Sequence, residues 1–528
     1  MVQILRRLRA GFVPALVLAG ISPAANAPRF YPDDPIWRVP KPVAVKNVAV
    51  SHRDDLFDFV YQSVRPAQHA NFPAGGVNTL GEVPNSAWYT NRHASRRMTT
   101  EELQRGPCIS EAPAPPFIVI GAKTDGVTPG FRMRDAKGRQ FFVKPDPRSN
   151  PEMATGADAV GARFFYALGY NTPENFLTTL HDGDLQISPD AKVVGVNGKP
   201  RPMTHRDIEL IILRVPRKKD GSLRVVASLA VEGHTAGPFD YEGTRSDDPN
   251  DLVPHQDRRD LRGLHVFSAW LNHTDVKSHN SLDTVVEENG VRYVKHYLID
   301  FGSIMGSDSD MPKDARFGYE YILPTPHELL VKMAELGLAP EPWETARYPH
   351  DKAVGRFESK IFDPLTWKPN YPNPAFERMR PDDAYWAAKK VMAFTDQDIR
   401  AIIEAGRYSR PETVDYLVKT LVERRQKIGR TYLQMVLPLE EFRIEGDRML
   451  FVDLSERYGF TPHREFITQW FEFDNMTGKL SATAGLASIR SEYGAARISE
   501  TKESAKNVTV FFKRSGNQSE MVGIERAW

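Results

Sequence analysis

The chain has 528 residues, 41% of them hydrophobic and 26% charged. That ordinary globular mix excludes a mainly disordered, collagen-like or coiled-coil protein. Lys plus Arg total 69 against 68 for Asp plus Glu, a formal net charge of +1, so the overall balance marks neither a nucleic-acid partner nor a solvating acidic tail. The single cysteine, Cys108, excludes an intrachain disulfide and a cysteine-built zinc or iron–sulfur site.

Residues 1–27 read as a signal peptide. Arg6, Arg7 and Arg9 precede a short apolar run over 11–21, and Ala25-Asn26-Ala27 is an A-x-A cleavage pattern. The run is far shorter than the roughly 20 residues that span a bilayer, and no later run is long enough. The expectation is a periplasmic or secreted protein without a transmembrane segment. Residues 28–116 are rich in proline and aromatics and read as an extended arm packed on a later domain, with a Thr99–Glu102 capping box starting a short helix.

From 117 the pattern predicts a β-rich lobe to about 240. Strand-like runs cover 117–123, 130–135 and 139–145, and turn residues separate them. A helix follows Pro151 from about 152 to 168 and stops at Gly169. Further strands are expected at 174–180, 185–189, 191–196, 209–215 and 223–233, with a hairpin turn at 218–223. A helical lobe is expected over 241–438. Its first helix covers 260–273, a buried strand and polar turn cover 296–303, irregular chain covers 303–380, and three helices end near 434. The stretch 439–528 reads as a separate β module.

One constellation carries chemistry. His273-Thr274-Asp275-Val276-Lys277 leads to Asn280, and Asp300-Phe301-Gly302 follows 20 residues later. The pattern is H-x-D-x-K-x-x-N, a strand, then D-F-G. Phosphoryl transfer needs a carboxylate near the acceptor hydroxyl, a cation near the moving phosphate and oxygen ligands for a metal. Asp275, Lys277 and the pair Asn280 and Asp300 supply these in turn, and hard oxygen donors suit Mg²⁺ or Mn²⁺. Gly302 is expected to let the backbone turn away.

This pattern resembles the catalytic loop and metal-binding turn of the protein-kinase-like superfamily. The resemblance covers about 117–434. Within the superfamily it is nearest to the atypical branches, the HipA-type kinases and the phosphoinositide-kinase-like folds, because FFVKP, a helix and LGYNTPE follow in order and LIDFGS carries the turn. The whole chain also resembles an uncharacterised family of exported bacterial proteins. The resemblance implies an α+β, two-lobed fold with a β-rich N-lobe and a helical C-lobe. It implies that Lys144 anchors the α/β-phosphates of ATP and that an acid of the next helix, Glu152 or Asp158, orients it. It implies that a turn around Gly126 covers the phosphates, with nucleotide between the lobes near 228–239. Thr274 stands where typical members carry Arg, so regulation through that Arg is not expected.

The function expected is therefore an atypical kinase-like phosphotransferase using ATP and a divalent metal. The acceptor, whether protein, lipid or small molecule, stays open. Two rivals share the pattern: an exported pseudokinase-like scaffold, and a nucleotidyltransferase on the same fold. His255, His265 and His279 have no helix-face spacing for zinc and read as loop or packed histidines. Arg258-Arg259 and Arg424-Arg425 read as solvated helix faces paired with acids.

Overall fold

Alternation of large apolar residues builds the first sheet. In the strand Gln140–Pro145, Phe141 and Val143 are buried whereas Phe142 is 40% exposed, which is the period-2 signature of a strand with two different faces. The computed structural model describes residues 27–67, 71–122, 130–194, 199–334, 340–516 and 518–528. The segment read as a signal peptide, apart from Ala27, and the turn carrying Gly126 lie outside the described residues.

The arm holds α1 (Asp55–Val64) and α2 (Thr100–Arg105), the latter with the Thr99–Glu102 capping box formed. Then come β1 (Phe117–Ala122), β2 (Phe131–Arg134), β3 (Gln140–Pro145), α3 (Met153–Leu168), β4 (Asn175–Leu180), β5 (Leu185–Val194), β6 (Pro200–Pro202), α4 (His205–Ile212) and β7 (Leu223–Leu229). Among the described residues these strands form one sheet in the order β4-β7-β3-β2-β1-β5-β6. All pairings are antiparallel except β1 with β5. No strand forms at 209–215: residues 209–212 are the end of α4 and 213–215 follow it. A capping box between Thr204 and Asp207 starts the helix, and Ile208 and Ile212, four residues apart, enter the sheet core. Helix-period apolar spacing behind an N-cap outweighs a β-branched run.

Helix α3 is buried on almost every side, as a helix sandwiched between a sheet and a second lobe must be. Its N-cap residue Glu152 makes no side-chain cap. Asp146, just beyond β3, takes the Thr155 amide (2.9 Å) and hydroxyl (2.7 Å) instead.

A smaller sheet, β10-β9-β8, is made from β8 (His234–Gly237), β9 (Ser281–Glu288) and β10 (Val291–Leu298). The helical lobe contains α5 (Arg259–Leu271), α6 (Pro326–Ala334), α7 (Pro374–Glu377), α8 (Pro381–Met392), α9 (Asp396–Glu404) and α10 (Pro411–Tyr432). Helix α9 carries its Thr395–Asp398 capping box. The core here joins Phe164 and Phe165 of α3 to Phe267, Trp270, Trp386 and Leu421. The chain is thus an α+β fold of two lobes, with α3 shared between them.

The arginine pairs are not on solvated faces. Arg258, Arg259, Arg424 and Arg425 are all under 9% exposed. Arg259 bonds Asp383 at 2.9 Å. Arg424 donates to the carbonyls of Trp270, Glu358 and Ala269. A planar guanidinium carries five donors and tolerates burial where carboxylates and carbonyls accept from them.

Beyond α10 lie β11 (Leu439–Glu445), β12 (Arg448–Asp453), β13 (Ile467–Phe473), β14 (Leu480–Thr483), β15 (Tyr493–Ser499), β16 (Asn507–Ser515) and β17 (Gln518–Ala527). The last five form a sheet in the order β14-β13-β15-β16-β17. The arm reaches every part of the molecule. Phe30 sits among Phe473, Tyr493 and Phe511 of this sheet, Val45 packs on Val285 and Val294, and Trp88 stacks on His296.

Candidate active site

Strand alternation sends Lys144 to the face of β3 opposite Phe141 and Val143, toward α3. There its Nζ donates to Asp158 Oδ2 (3.1 Å) and to Asp300 Oδ1 (2.7 Å). The two carboxylates come from different lobes and lie 14 and 156 residues away in sequence. Asp158 is almost fully buried and is held in place by Asn175, whose amide donates to Oδ1 at 2.6 Å. Asn175 Oδ1 in turn accepts from Ser228 (2.6 Å). Burial alone would depress the Lys144 ammonium. The carboxylates of Asp158 and Asp300 outweigh it and hold the lysine well above its ordinary value.

Of the two acids expected to orient Lys144, only Asp158 does so. Glu152 points the other way and accepts from the Ser409 amide at 2.8 Å, in the loop before α10. Its backbone has φ 70°, which turns the chain into α3 rather than into the cleft.

Helix α5 ends because Asn272 adopts the left-handed conformation, φ 55°. The loop that follows places Asp275 on the same side as Asn280. Asn280 Nδ2 donates to Asp275 Oδ2 (2.9 Å) and to its carbonyl (2.7 Å). Asn370 Nδ2 reaches Asp275 Oδ1 at 3.3 Å, and the Asn370 amide donates to the Thr274 carbonyl at 2.8 Å. The Ile299 amide bonds the Asn280 carbonyl at 3.0 Å, so the 273–280 loop and the strand leading to Asp300 are stitched together.

Asp300 itself has φ 59°. That is the left-handed region, which aspartate and asparagine enter more readily than other residues with a side chain. Gly302, expected to make this turn, does not have a positive φ. Its missing side chain leaves room for Ser309 Oγ, which a Cβ would meet at 2.6 Å. Phe301 is fully buried and stacks on Phe165 of α3 with centroids 5.1 Å apart. Gly161 faces it, and a methyl there would collide with the Phe301 Cβ.

Lys277 is paired. Its ammonium contacts Asp55 of α1 at 2.9 Å and Asp275 at 3.4 Å. His279 lies 3.6 Å from the same Asp55. Burial acts to lower the Lys277 value, but Asp275 and Asp55 together raise it.

No family profile matches the chain, and no curated protein does. Solved structures are similar. One is a Helicobacter pylori proinflammatory kinase, CtkA, at 11% identity over 58% of this chain and 94% of that one, with a TM-score of 0.31. Another is the Golgi casein kinase with Mn and ADP bound, at 10% identity over 64% of this chain and 74% of that one, with a TM-score of 0.30.

The structure also places groups at the site that the sequence pattern did not single out. Asp55 lies in the arm, 222 residues from Lys277. Asn175, 17 residues on, bonds Asp158, and Asn370, 95 residues on, bonds Asp275. Lys313 lies in the long irregular stretch and is completely buried. Nothing in local composition distinguishes them, because each becomes relevant only through the fold. His273 is buried among Phe165 and Phe301, and burial with the nearby Lys313 charge lowers it to about 4. It is a neutral packing group at neutral pH. His265 is likewise lowered to about 4 by burial against Trp367 and Phe376, and His255 is taken up by Asp251 at 2.7 Å. Among the described residues no cluster of three or more His, Cys, Asp or Glu side chains forms a metal site, and no helix is long and apolar enough to cross a membrane.

Proposed function

We propose that the protein is an atypical kinase-like phosphotransferase that uses ATP with Mg²⁺ or Mn²⁺. The observation that carries this reading is the bifurcated contact of Lys144 to Asp158 and Asp300. It ties strand, helix and D-F-G turn into one charged center beside the Asp275–Asn280 pair. A buried lysine kept charged by two carboxylates is poised to exchange one of them for a phosphate.

The donor set fits a metal nucleotide. Asp300 and Asp275 side chains are 32% and 25% exposed, so both present hard oxygens to the cleft. Asn280 commits its side-chain nitrogen to Asp275, which leaves its side-chain oxygen Oδ1 as the ligand for a cation. When bound, the cation would neutralise charge on the transferred phosphate. In this reading Asn280 and Asp300 hold the cation and Lys144 holds the α/β-phosphates. Asp275 accepts or orients the acceptor hydroxyl's proton. Lys277 faces the transferred group once Asp55 withdraws. The amino-terminal pattern of Arg6, Arg7, Arg9 and Ala25-Asn26-Ala27 supports a periplasmic or secreted location, which the mass of the chain recovered from the envelope tests.

The test has two stages. Thermal shift with Mn²⁺ or Mg²⁺ and ATP reads binding, and labelled ATP with mass spectrometry of the acceptor reads transfer. Asp275→Ala should bind nucleotide within about threefold of wild type and lose transfer by about 10²–10⁴-fold, the range of a general base. Equal transfer by the two proteins refutes the assignment of Asp275. Nucleotide binding without transfer points to the scaffold reading, and a nucleotidyl adduct points to the nucleotidyltransferase.

A further inference from the structure

Lys313 is a buried cation that the proposed reaction does not use. Its side chain has no solvent exposure. Its direct partners are two neutral hydroxyls: Nζ donates to Thr274 Oγ1 at 2.6 Å and to Ser303 Oγ at 2.9 Å. Desolvating an ammonium for hydroxyl partners is unfavourable, and the nearby Asp308 and Asp275 carboxylates offset it only in part. A site selected only for packing would be better served by an apolar side chain of the same length.

The two hydroxyls explain the placement. Thr274 immediately precedes Asp275, and Ser303 immediately follows Asp300-Phe301-Gly302. One ammonium therefore bridges the loop that carries the acceptor-orienting carboxylate and the turn that carries the metal-holding carboxylate. The lysine is itself anchored. Its amide donates to the Gly306 carbonyl at 2.8 Å, and its carbonyl accepts from Arg356 at 2.6 Å. The Met305 amide bonds the Leu271 carbonyl at 2.8 Å, and His273 Nδ1 lies 3.3 Å from the Ser303 carbonyl. Asp308, which receives the Ser303 hydroxyl at 3.4 Å, lies on the same turn.

We propose that Lys313 is a positioning residue that clamps the Asp275 loop to the Asp300 turn at a fixed spacing, so that the catalytic center is ordered in the unmodified chain. The inference rests on the phosphotransferase reading for its consequence in catalysis, but the clamp itself can be read without activity.

Lys313→Met keeps the length and removes the charge. The clamp predicts faster hydrogen exchange in both 273–281 and 300–312. It predicts transfer reduced at least tenfold in kcat, a Kd for Mn²⁺–ATP within threefold of wild type, and a melting temperature that does not fall. Thr274→Val and Ser303→Ala remove the acceptors one at a time while leaving the lysine, and each should reproduce part of the loosening. Unchanged exchange in both segments overturns the proposal. So does a variant in which melting temperature and kcat fall while Kd rises in step, since that marks a purely structural role. If the wild type transfers nothing from ATP but Lys313→Met still loosens both segments, the phosphotransferase reading fails and the clamp stands.

Discussion

Removing the Asp158 carboxylate tests the charged center most directly. Asp158 is 1% exposed and contacts Lys144, itself 14% exposed in its side chain, at 3.1 Å. Breaking a buried ion pair by deleting one partner costs about 3–5 kcal/mol, because the remaining charge is left without compensation. Here Lys144 keeps Asp300 at 2.7 Å, which places Asp158→Ala near the lower end. The Asn175 amide that loses its acceptor adds about 1 kcal/mol or more. The expected loss is about 3–4 kcal/mol. Lys144→Met should cost about 2 kcal/mol, less than Asp158→Ala, since Asp158 keeps Asn175 and Asp300 is partly hydrated. The double variant should cost less than the sum by about 1–3 kcal/mol, the coupling found for residues in one network. Native-state hydrogen exchange over 140–168 is the appropriate assay, because it reads local free energies without assuming that the whole chain unfolds in one step. Additivity of the two single variants within about 0.5 kcal/mol would show that the pair is not coupled, and the account of Lys144 would be wrong.

Two further outcomes follow from the site's charges. Burial lowers Lys313 from its ordinary 10.5 to about 8, with Asp308 and Asp275 only partly opposing. Below pH 8 the ammonium is charged in both folded and unfolded chains, and the folded one bears the desolvation cost. Between about 8 and 10.5 the unfolded chain binds more protons, so this group makes stability rise with pH. At about 1.4 kcal/mol per pH unit the relief totals about 3 kcal/mol. Wild type should therefore gain on Lys313→Met across that window in urea titrations, and parallel profiles would refute it. Asp55→Asn removes the arm's carboxylate from Lys277. Helix α1 buries Asp58, Gln62 and Ser63 and leaves Leu56, Phe57 and Val64 more than 60% exposed, so polar contacts together with the Phe59–Tyr371 ring contact attach it to the lobe. A half-exposed ion pair contributes about 0.2–1 kcal/mol. Freeing Lys277 should tighten Mn²⁺–ATP binding by roughly two- to fivefold in titration calorimetry. Weaker binding would show that Asp55 supports the site instead of competing for it.

Local signals in the chain were sufficient for much of this. The capping boxes at Thr99 and Thr395, the stop of α3 at Gly169 and the alternation in β3 depend on hydrogen bonds and burial within a few residues. The strand expected at 209–215 failed because Ile and Leu suit either period, and the decision fell to the cap at Thr204 and to the sheet core that Ile208 and Ile212 enter. The arginine pairs failed for a related reason. Two adjacent charges look solvated until carboxylates and carbonyls from distant elements, such as Asp383 and Glu358, close around them.

The order Lys144, α3, Asp275, Asn280, Asp300 is written in the chain, because residue types and their spacings are local properties of the sequence. The choice of Asp158 over Glu152 is not, since it depends on which side of α3 faces β3 once both lobes have packed. The same holds for Asp55 and Lys313. Coulomb and desolvation energies depend on distance and burial in space, and residues 222 or 39 positions apart acquire a shared role only when the chain has folded.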